Sequence, residues 1–469
     1  MIKSKLIQLY TCLDRTELEA FHKWLKSPLH NSDNDLSKLF IYIGSRRVLS
    51  KTSLDKNRVF KQLFPTETYQ DLKLRRLMSK GIKHLENFVH FWMSKKNTLE
   101  QQKNVATFLR TRNRPLLAQQ QWAKGKKALA LQVDKTHAYY YKKYQLEQEH
   151  FEQAASQSRM RATNLQAIVN SFSIAFVIET LRYACTAISH KNLYATNYNI
   201  PLLDEILDLA KQSPYLDIAA IQLYYQAYMA LTIPKDSIHF ELLKRNLLKQ
   251  EGLLPTKERK DLYTLAINYC IRRINSDESQ KFIREVFELY KQGLKNKALL
   301  DNGILSRFTY KNIASAGLRL HEYDWIANYI SSYAVYVEAD YRESYQHYNT
   351  SKLYFAKEDY DQAMQRLIQV EYDDLFLNLD AKTMLMKIYY ETQSYDALDA
   401  FFHSFTIYLQ RKEIMGYHRE NYLNIIRLTK KLLELPPRNP KAQQQLQDNI
   451  DSMQPLTERA WLLEQLRKI

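Results

Sequence analysis

The stretch Leu353-Tyr354-Phe355-Ala356-Lys357-Glu358-Asp359-Tyr360-Asp361-Gln362-Ala363-Met364 decides how this chain is read. Its centre, Asp359-Tyr360-Asp361, is a short polar turn between two segments whose apolar residues recur at helical spacing. Tyr354 stands six residues before Tyr360, and Ala363 and Leu367 stand three and seven after it. The same mark returns as Glu322-Tyr323-Asp324 and Ser394-Tyr395-Asp396, placing the three tyrosines 37 and 35 residues apart. The third copy sets Tyr389, Leu398 and Phe402 in equivalent places, and the first has Gly317, Ile326 and Ile330. A tyrosine that opens the second helix of a hairpin, followed by a small or aliphatic residue three later and an apolar one four beyond that, pairs the helices closely. Units of this period cannot bury their apolar faces alone, so they stack.

The rest of the composition agrees with a helical chain. The 469 residues include 8 glycines and 11 prolines, about 4% together against roughly 12% in average proteins. Sandwiches, barrels and doubly wound α/β folds need more turns than this supplies, so the expected class is all-α. Seven prolines, from Pro28 to Pro255, punctuate the first half, and none falls between Pro255 and Pro436. No two glycines lie closer than ten residues, Gly293 and Gly303 being the nearest. Glycine-rich phosphate loops are thereby excluded. Cys12, Cys185 and Cys270 stand far apart, reading as reduced thiols rather than a zinc set or disulfide framework. The amino terminus lacks a signal-like apolar run, so the expected location is cytoplasmic. The most apolar stretch, Phe172 to Ile178 in a segment reaching Ser189, is interrupted by Glu179 and Arg182, and reads as a buried helix with no transmembrane segment.

On these marks, residues 303–411 resemble three degenerate tetratricopeptide repeats. Ala314 and Ser351 meet the family's small position in the first helix, whereas Met386 departs from it, as does the lack of a glycine before each turn and a closing proline. The resemblance implies a helical-hairpin repeat solenoid whose first helices line a concave groove for a peptide or protein segment. In the matched register the groove residues are Lys311, Ser315, Arg319, Tyr345, Tyr348, Lys352, Phe355, Thr383, Lys387 and Tyr390. Their basic and aromatic character suits an acidic or carboxylate-ending ligand. The family's carboxylate clamp needs a lysine and asparagine arrangement that these positions lack. The tyrosines also read as packing between hairpins.

Outward from the repeats, residues 99–302 read as divergent helical hairpins, including the pair within 261–293, and residues 412–469 as closing helices. The terminal segment from Thr457 to Ile469 fits a solenoid's cap or a dimer contact equally. Residues 1–98 form a distinct basic helical module, with helices expected over Thr16 to Lys26, Asp35 to Gly44, Leu54 to Phe64 and Asp71 to about Met93. The longest should bury Leu74, Leu77, Met78, Ile82, Leu85, Phe88, Val89 and Trp92. Parts of this module are weakly similar to the opening of uncharacterised bacterial proteins.

Charge is concentrated at the front. Residues 1–130 carry 26 Lys and Arg against 10 Asp and Glu, whereas 301–400 carry 9 against 16, within a formal total of +17. Lys73, Arg75, Arg76, Lys80 and Lys83 form a basic face on the long helix that could track phosphates, or serve as its solvated back. Tyr139 to Tyr144 with Lys135 make a second cluster, on a helix opened by Asp134, fit for base stacking or for core packing.

Enzymatic signals are sparse. Glu19 with His22, and Glu147 with His150, have metal-like spacing but lack companion glutamates. Asp373, Asp374, Asp359 and Asp361 read as turn and cap residues. The expectation is a non-catalytic interaction scaffold without cofactor or metal. The alternative is a nucleic-acid-associated regulator whose basic front, residues 1–130, contacts DNA or RNA while the repeats sense a partner. That layout resembles peptide-sensing bacterial regulators.

Overall fold

A computed structural model describes residues 1–46, 48–157, 163–194, 196–275, 279–368, 374–411, 416–436 and 439–469. The chain divides into two compact units, Met1–Val177 and Ile178–Ile469.

The first unit contains α1 (Lys5–Thr11), α2 (Arg15–Leu25), α3 (Asn34–Gly44), α4 (Lys56–Leu63), α5 (Asp71–Lys96), α6 (Thr98–Thr111), α7 (Pro115–Ala130) and α8 (His137–Gln157), and it ends inside α9 (Leu165–Tyr194). Each short helix has a local reason to start. Asp14 forms a capping box with Glu17, Asp33 caps α3, Asp55 caps α4, and Pro115 occupies the first turn of α7. Helix α5 packs against α1, α2, α3 and α4, and Leu6, Phe21, Phe40, Phe60, Leu74 and Phe88 belong to one buried cluster. Phe21 meets Phe40 edge-on at 4.8 Å between ring centres. The expected apolar face of α5 is nearly right. Val89 is the exception, 40% exposed: next to Phe88, it is rotated about 100° off the buried line. Helices α6, α7 and α8 pack on one another, tied by Glu149, which accepts from Arg110 Nε and the Thr107 hydroxyl, both at 2.8 Å.

Helix α9 corrects the reading of its segment. The run Leu165–Lys191 is long and apolar enough to cross a membrane by length and composition. Only one of its sides is buried, through residues such as Ile178, Leu181 and Cys185, while Val169, Phe172, Phe176 and Tyr183 are exposed. Glu179 and Arg182, the interrupting charges, pair with each other.

The second unit continues with α10 (Leu203–Ala210), α11 (Ala219–Thr232), α12 (Ile238–Lys249), α13 (Thr256–Asn275), α14 (Ser279–Lys295), β1 (Leu300–Asp301), β2 (Ile304–Leu305), α15 (Arg307–Arg319), α16 (Tyr323–Tyr333), α17 (Ala339–Ala356), α18 (Tyr360–Ile368), α19 (Leu375–Glu391), α20 (Tyr395–Arg411), α21 (Gly416–Leu433), α22 (Pro440–Ser452) and α23 (Arg459–Lys468). The protein is thus all-α apart from the hairpin β1–β2, whose turn, Asn302-Gly303, has positive φ at both residues. Asn-Gly is the usual sequence for such a two-residue turn. Neighbouring helices pack in sequence: α13 on α14, α15 on α16, α17 on α18 and α19 on α20. Each pair also meets the next, through α14 on α15, α16 on α17 and α18 on α19, with α15 on α17 and α17 on α19 besides.

Tyr323, Tyr360 and Tyr395 are the first residues of α16, α18 and α20. The turn that delivers them is the same three times. His321, Glu358 and Gln393, each two residues earlier, take left-handed backbone angles, φ 59°, 61° and 55°. The next amide then reaches back five residues: Glu322 to Gly317, Asp359 to Tyr354 and Ser394 to Tyr389, at 2.9–3.0 Å. This closes the first helix of each pair by satisfying its last carbonyls, a position where glycine is ordinarily favoured. Non-glycine residues pay for it in strain, so Glu358→Gly and Gln393→Gly are each expected to stabilise the fold by about 1 kcal/mol. Asp359→Gly, one residue on, is expected to destabilise, since Asp359 accepts from the Gln362 amide at 3.2 Å. Urea unfolding midpoints of the three variants test the contrast.

Candidate functional site

Helices α15, α17 and α19, together with Glu458 just before α23, surround a cavity of about 330 Å³. It is built from one residue per turn on each helix. Ser315 and Arg319 come from α15, Tyr348, Lys352 and Phe355 from α17, and Asp380, Met384 and Lys387 from α19. These spacings of three, four and seven residues put each set on one helix face. Six of the residues read from sequence as groove residues therefore meet here: Ser315, Arg319, Tyr348, Lys352, Phe355 and Lys387. The other four are engaged nearby. Lys311 pairs with Asp380 at 2.6 Å, Tyr345 donates to Asp374 at 2.9 Å, buried Thr383 donates to the Leu379 carbonyl, and Tyr390 packs edge-on against Trp461.

The charges inside are unequally satisfied. Lys387 pairs with Glu458 at 2.7 Å and lies over the Phe355 ring. Asp380 takes Lys311 and also the Tyr422 hydroxyl at 3.2 Å. Lys352 donates to Ser315 Oγ at 2.6 Å, and among the described residues no carboxylate lies within 4.0 Å of either Lys352 or Arg319. Burial pushes the Lys352 ammonium down to about 8, helped by Lys311 and Lys387 and opposed by Glu458 and Asp380. For Glu458, burial alone would raise the carboxyl, but Lys387, Lys352 and Arg319 hold it below the usual range.

Asp380 and Glu458 were missing from the groove as read in the sequence. Asp380 was within reach of that reading, standing three residues before Thr383 and seven before Lys387 on the same face. Glu458 was not, being 71 residues from its partner Lys387.

The basic face of α5 is arranged differently. Lys73 pairs with Glu67 at 2.6 Å, Arg75 with Asp71 at 2.6 Å and Lys80 with Asp33 at 2.9 Å. Lys73, Arg76 and Lys80 border a cavity of about 370 Å³ that also holds Asp33 and Asp35, while Lys83 is exposed. The tyrosine cluster lies on α8, which begins at His137, after Thr136 rather than Asp134. Tyr141 packs on Tyr144, and Tyr144 on Phe172.

The residues with metal-like spacing have other partners. His22 Nε2 is 3.3 Å from the Tyr10 hydroxyl, and Glu19 pairs with Arg15. His150 stacks on Trp122, and Glu147 accepts from Asn164 at 2.7 Å. Asp374 caps α19, accepting from the Phe376 and Leu377 amides, whereas Asp373 lies outside the described residues.

No protein-family model matches the chain, and no curated protein and no solved structure matches it either.

Proposed function

We propose that the chain is a non-catalytic scaffold for proteins or peptides, in which the helix pairs of residues 303–411 stack as a tetratricopeptide-like solenoid. The cavity between α15, α17 and α19 is its ligand seat, and the ligand carries carboxylates. One observation supports this above the others: Arg319 and Lys352 face a single cavity with no carboxylate beside them among the described residues, although residues 301–400 carry an excess of acid. A cation kept half-buried without a counter-ion costs stability, and such costs concentrate at binding sites.

The pH dependence has a definite sign. In the unfolded chain lysine titrates near ~10.4, so Lys352 loses its proton earlier in the folded state than in the unfolded one. The unfolded chain then binds more protons between pH 8 and about 10.4, and stability from this group rises across that window. Below it, the charged amine is a full burden on the fold. Lys352→Met is therefore expected to be more stable than the native chain at pH 7, with the difference closing as pH climbs past 8. A bound carboxylate reverses the effect by favouring the ammonium, so native affinity should fall as pH rises through 8.

The test uses a labelled random decapeptide pool and the same pool methyl-esterified, read by anisotropy. The native pool should bind and the esterified pool should not, and Lys352→Met should lose at least tenfold in affinity while gaining stability. Equal binding of the two pools, or an unchanged affinity in the variant, defeats the proposal.

A further inference from the structure

A second cavity, of about 230 Å³, adjoins the first. It opens between α13 and α15 and is floored by α14, with Ile271, Ile274, Ile283, Val286, Tyr290 and Ala316 as its apolar lining. Its edge towards the first cavity is made by Ser315 and Arg319, which line both. These two residues are four apart on α15, so the shared wall is about 6 Å long. One side of it is aliphatic. The other holds Arg319 and Lys352, the pair left without carboxylates, because Lys311 occupies Asp380 and Lys387 occupies Glu458.

Resting on the reading of this groove as a peptide seat, we infer that it recognises the carboxy terminus of a partner polypeptide whose last residue is aliphatic. The terminal carboxylate lies between Arg319 and Lys352, and the side chain of the same residue enters the second cavity.

Size, charge and chain geometry each bear on this. An apolar cavity of about 150 Å³ already accepts a benzene-sized group, so the second cavity has room for a leucine or isoleucine side chain. Two cations beside a single opening match one carboxylate, and a guanidinium offers it two parallel donors. The choice of a terminal residue follows from the shared wall. In a carboxy-terminal residue the carboxylate and the side chain leave the same α-carbon, so both cavities are reached across one short ledge. In an extended internal segment, an acidic residue and its aliphatic neighbour point to opposite faces, and only one of them would enter the groove.

Two random hexapeptide pools, one ending in free acid and one in carboxamide, are equilibrated with the full chain, and the bound fraction is sequenced. The expected result is at least tenfold enrichment of Leu, Ile or Val at the last position of the acid pool and none in the amide pool. Arg319→Ala, a change at an exposed site, should abolish the enrichment. Ile274→Glu, which places a charge in the apolar cavity, should remove the aliphatic preference. If both pools yield the same internal motif, terminal recognition is overturned while the groove reading stands. If neither pool is enriched, both fail.

Discussion

Replacing Asp374 by alanine is expected to cost the second unit about 3 kcal/mol or more, the range for removing one member of a buried ion pair. The carboxylate has four engagements. Oδ1 accepts from the amides of Phe376 and Leu377, capping α19. Oδ2 accepts from the Tyr345 hydroxyl of α17 at 2.9 Å and from Arg307 Nε of α15 at 3.2 Å. Its side chain is 8% exposed, so little water is at hand to replace these bonds. One residue thus fastens three consecutive first helices at the end where they begin. Arg307 keeps a second carboxylate, Glu338, at 3.9 Å and lies over the Tyr341 ring, which limits the loss. Asp374→Asn retains the cap but turns a donor towards Arg307, so its cost should fall between those of the native residue and alanine.

The pH dependence of that loss is also fixed in sign. Burial would raise the Asp374 carboxyl, but the Leu377 and Phe376 amides, the Tyr345 hydroxyl and Arg307 outweigh it and hold the group below the usual range. A carboxyl depressed in the folded state contributes stability above its unfolded value, near ~3.9, and loses it as pH falls from there through the folded value. The native chain and Asp374→Ala should therefore differ fully at pH 7 and converge in acid. Urea unfolding at pH 7 and at successive values below 4 measures this. A difference that persists unchanged in acid would show that Asp374 acts through packing alone.

The same residue marks the boundary of what the sequence could disclose. Its role as a cap was legible, since an aspartate before an apolar helical run has few other uses. Its long-range partners were not, because Arg307 lies 67 residues away and nothing local announces the pairing. The turns divide in the same way. Tyr323, Tyr360 and Tyr395 could be placed at helix starts from their spacing, whereas the left-handed residues before them are His, Glu and Gln, types without a glycine's signature. In the cavity, residues at helical spacing on α15, α17 and α19 came together because a helix face is a local property. Glu458 enters from the far end of the chain, at the N-cap of α23 in a left-handed conformation, and periodicity carries no trace of that. Helix α9 shows the converse: its composition was plain, but which side would be covered depended on neighbours the segment itself does not specify.

The tightest helix contact predicts the second large effect. Gly317 lies on α15 where α14 and α16 both press against it. A Cβ there would come within 2.5 Å of Ile326 Cδ1, 2.7 Å of Ile326 Cγ1 and 2.8 Å of Phe287 Cε2. Both neighbours are fully buried, so neither has open space into which to retreat. Alanine gains about 1 kcal/mol of helix propensity over glycine, set against overpacking of typically ~1–3 kcal/mol. Because three contacts lie under 3.0 Å, overpacking should win, and Gly317→Ala should lose roughly 1–2 kcal/mol. Gly317→Val adds two methyl groups to the same crowded point and should lose several kcal/mol or prevent the helix pair from forming. The cause is separable from general damage by Ile326→Val, which removes the Cδ1 atom responsible for the closest approach. Alone, that change should cost about 0.5–1.5 kcal/mol. Combined with Gly317→Ala it should cost less than the sum, by at least ~0.5 kcal/mol, as expected for residues in direct contact. Unfolding free energies of the two single variants and the double variant close the cycle. Strict additivity would mean that Phe287, not Ile326, resists the added carbon.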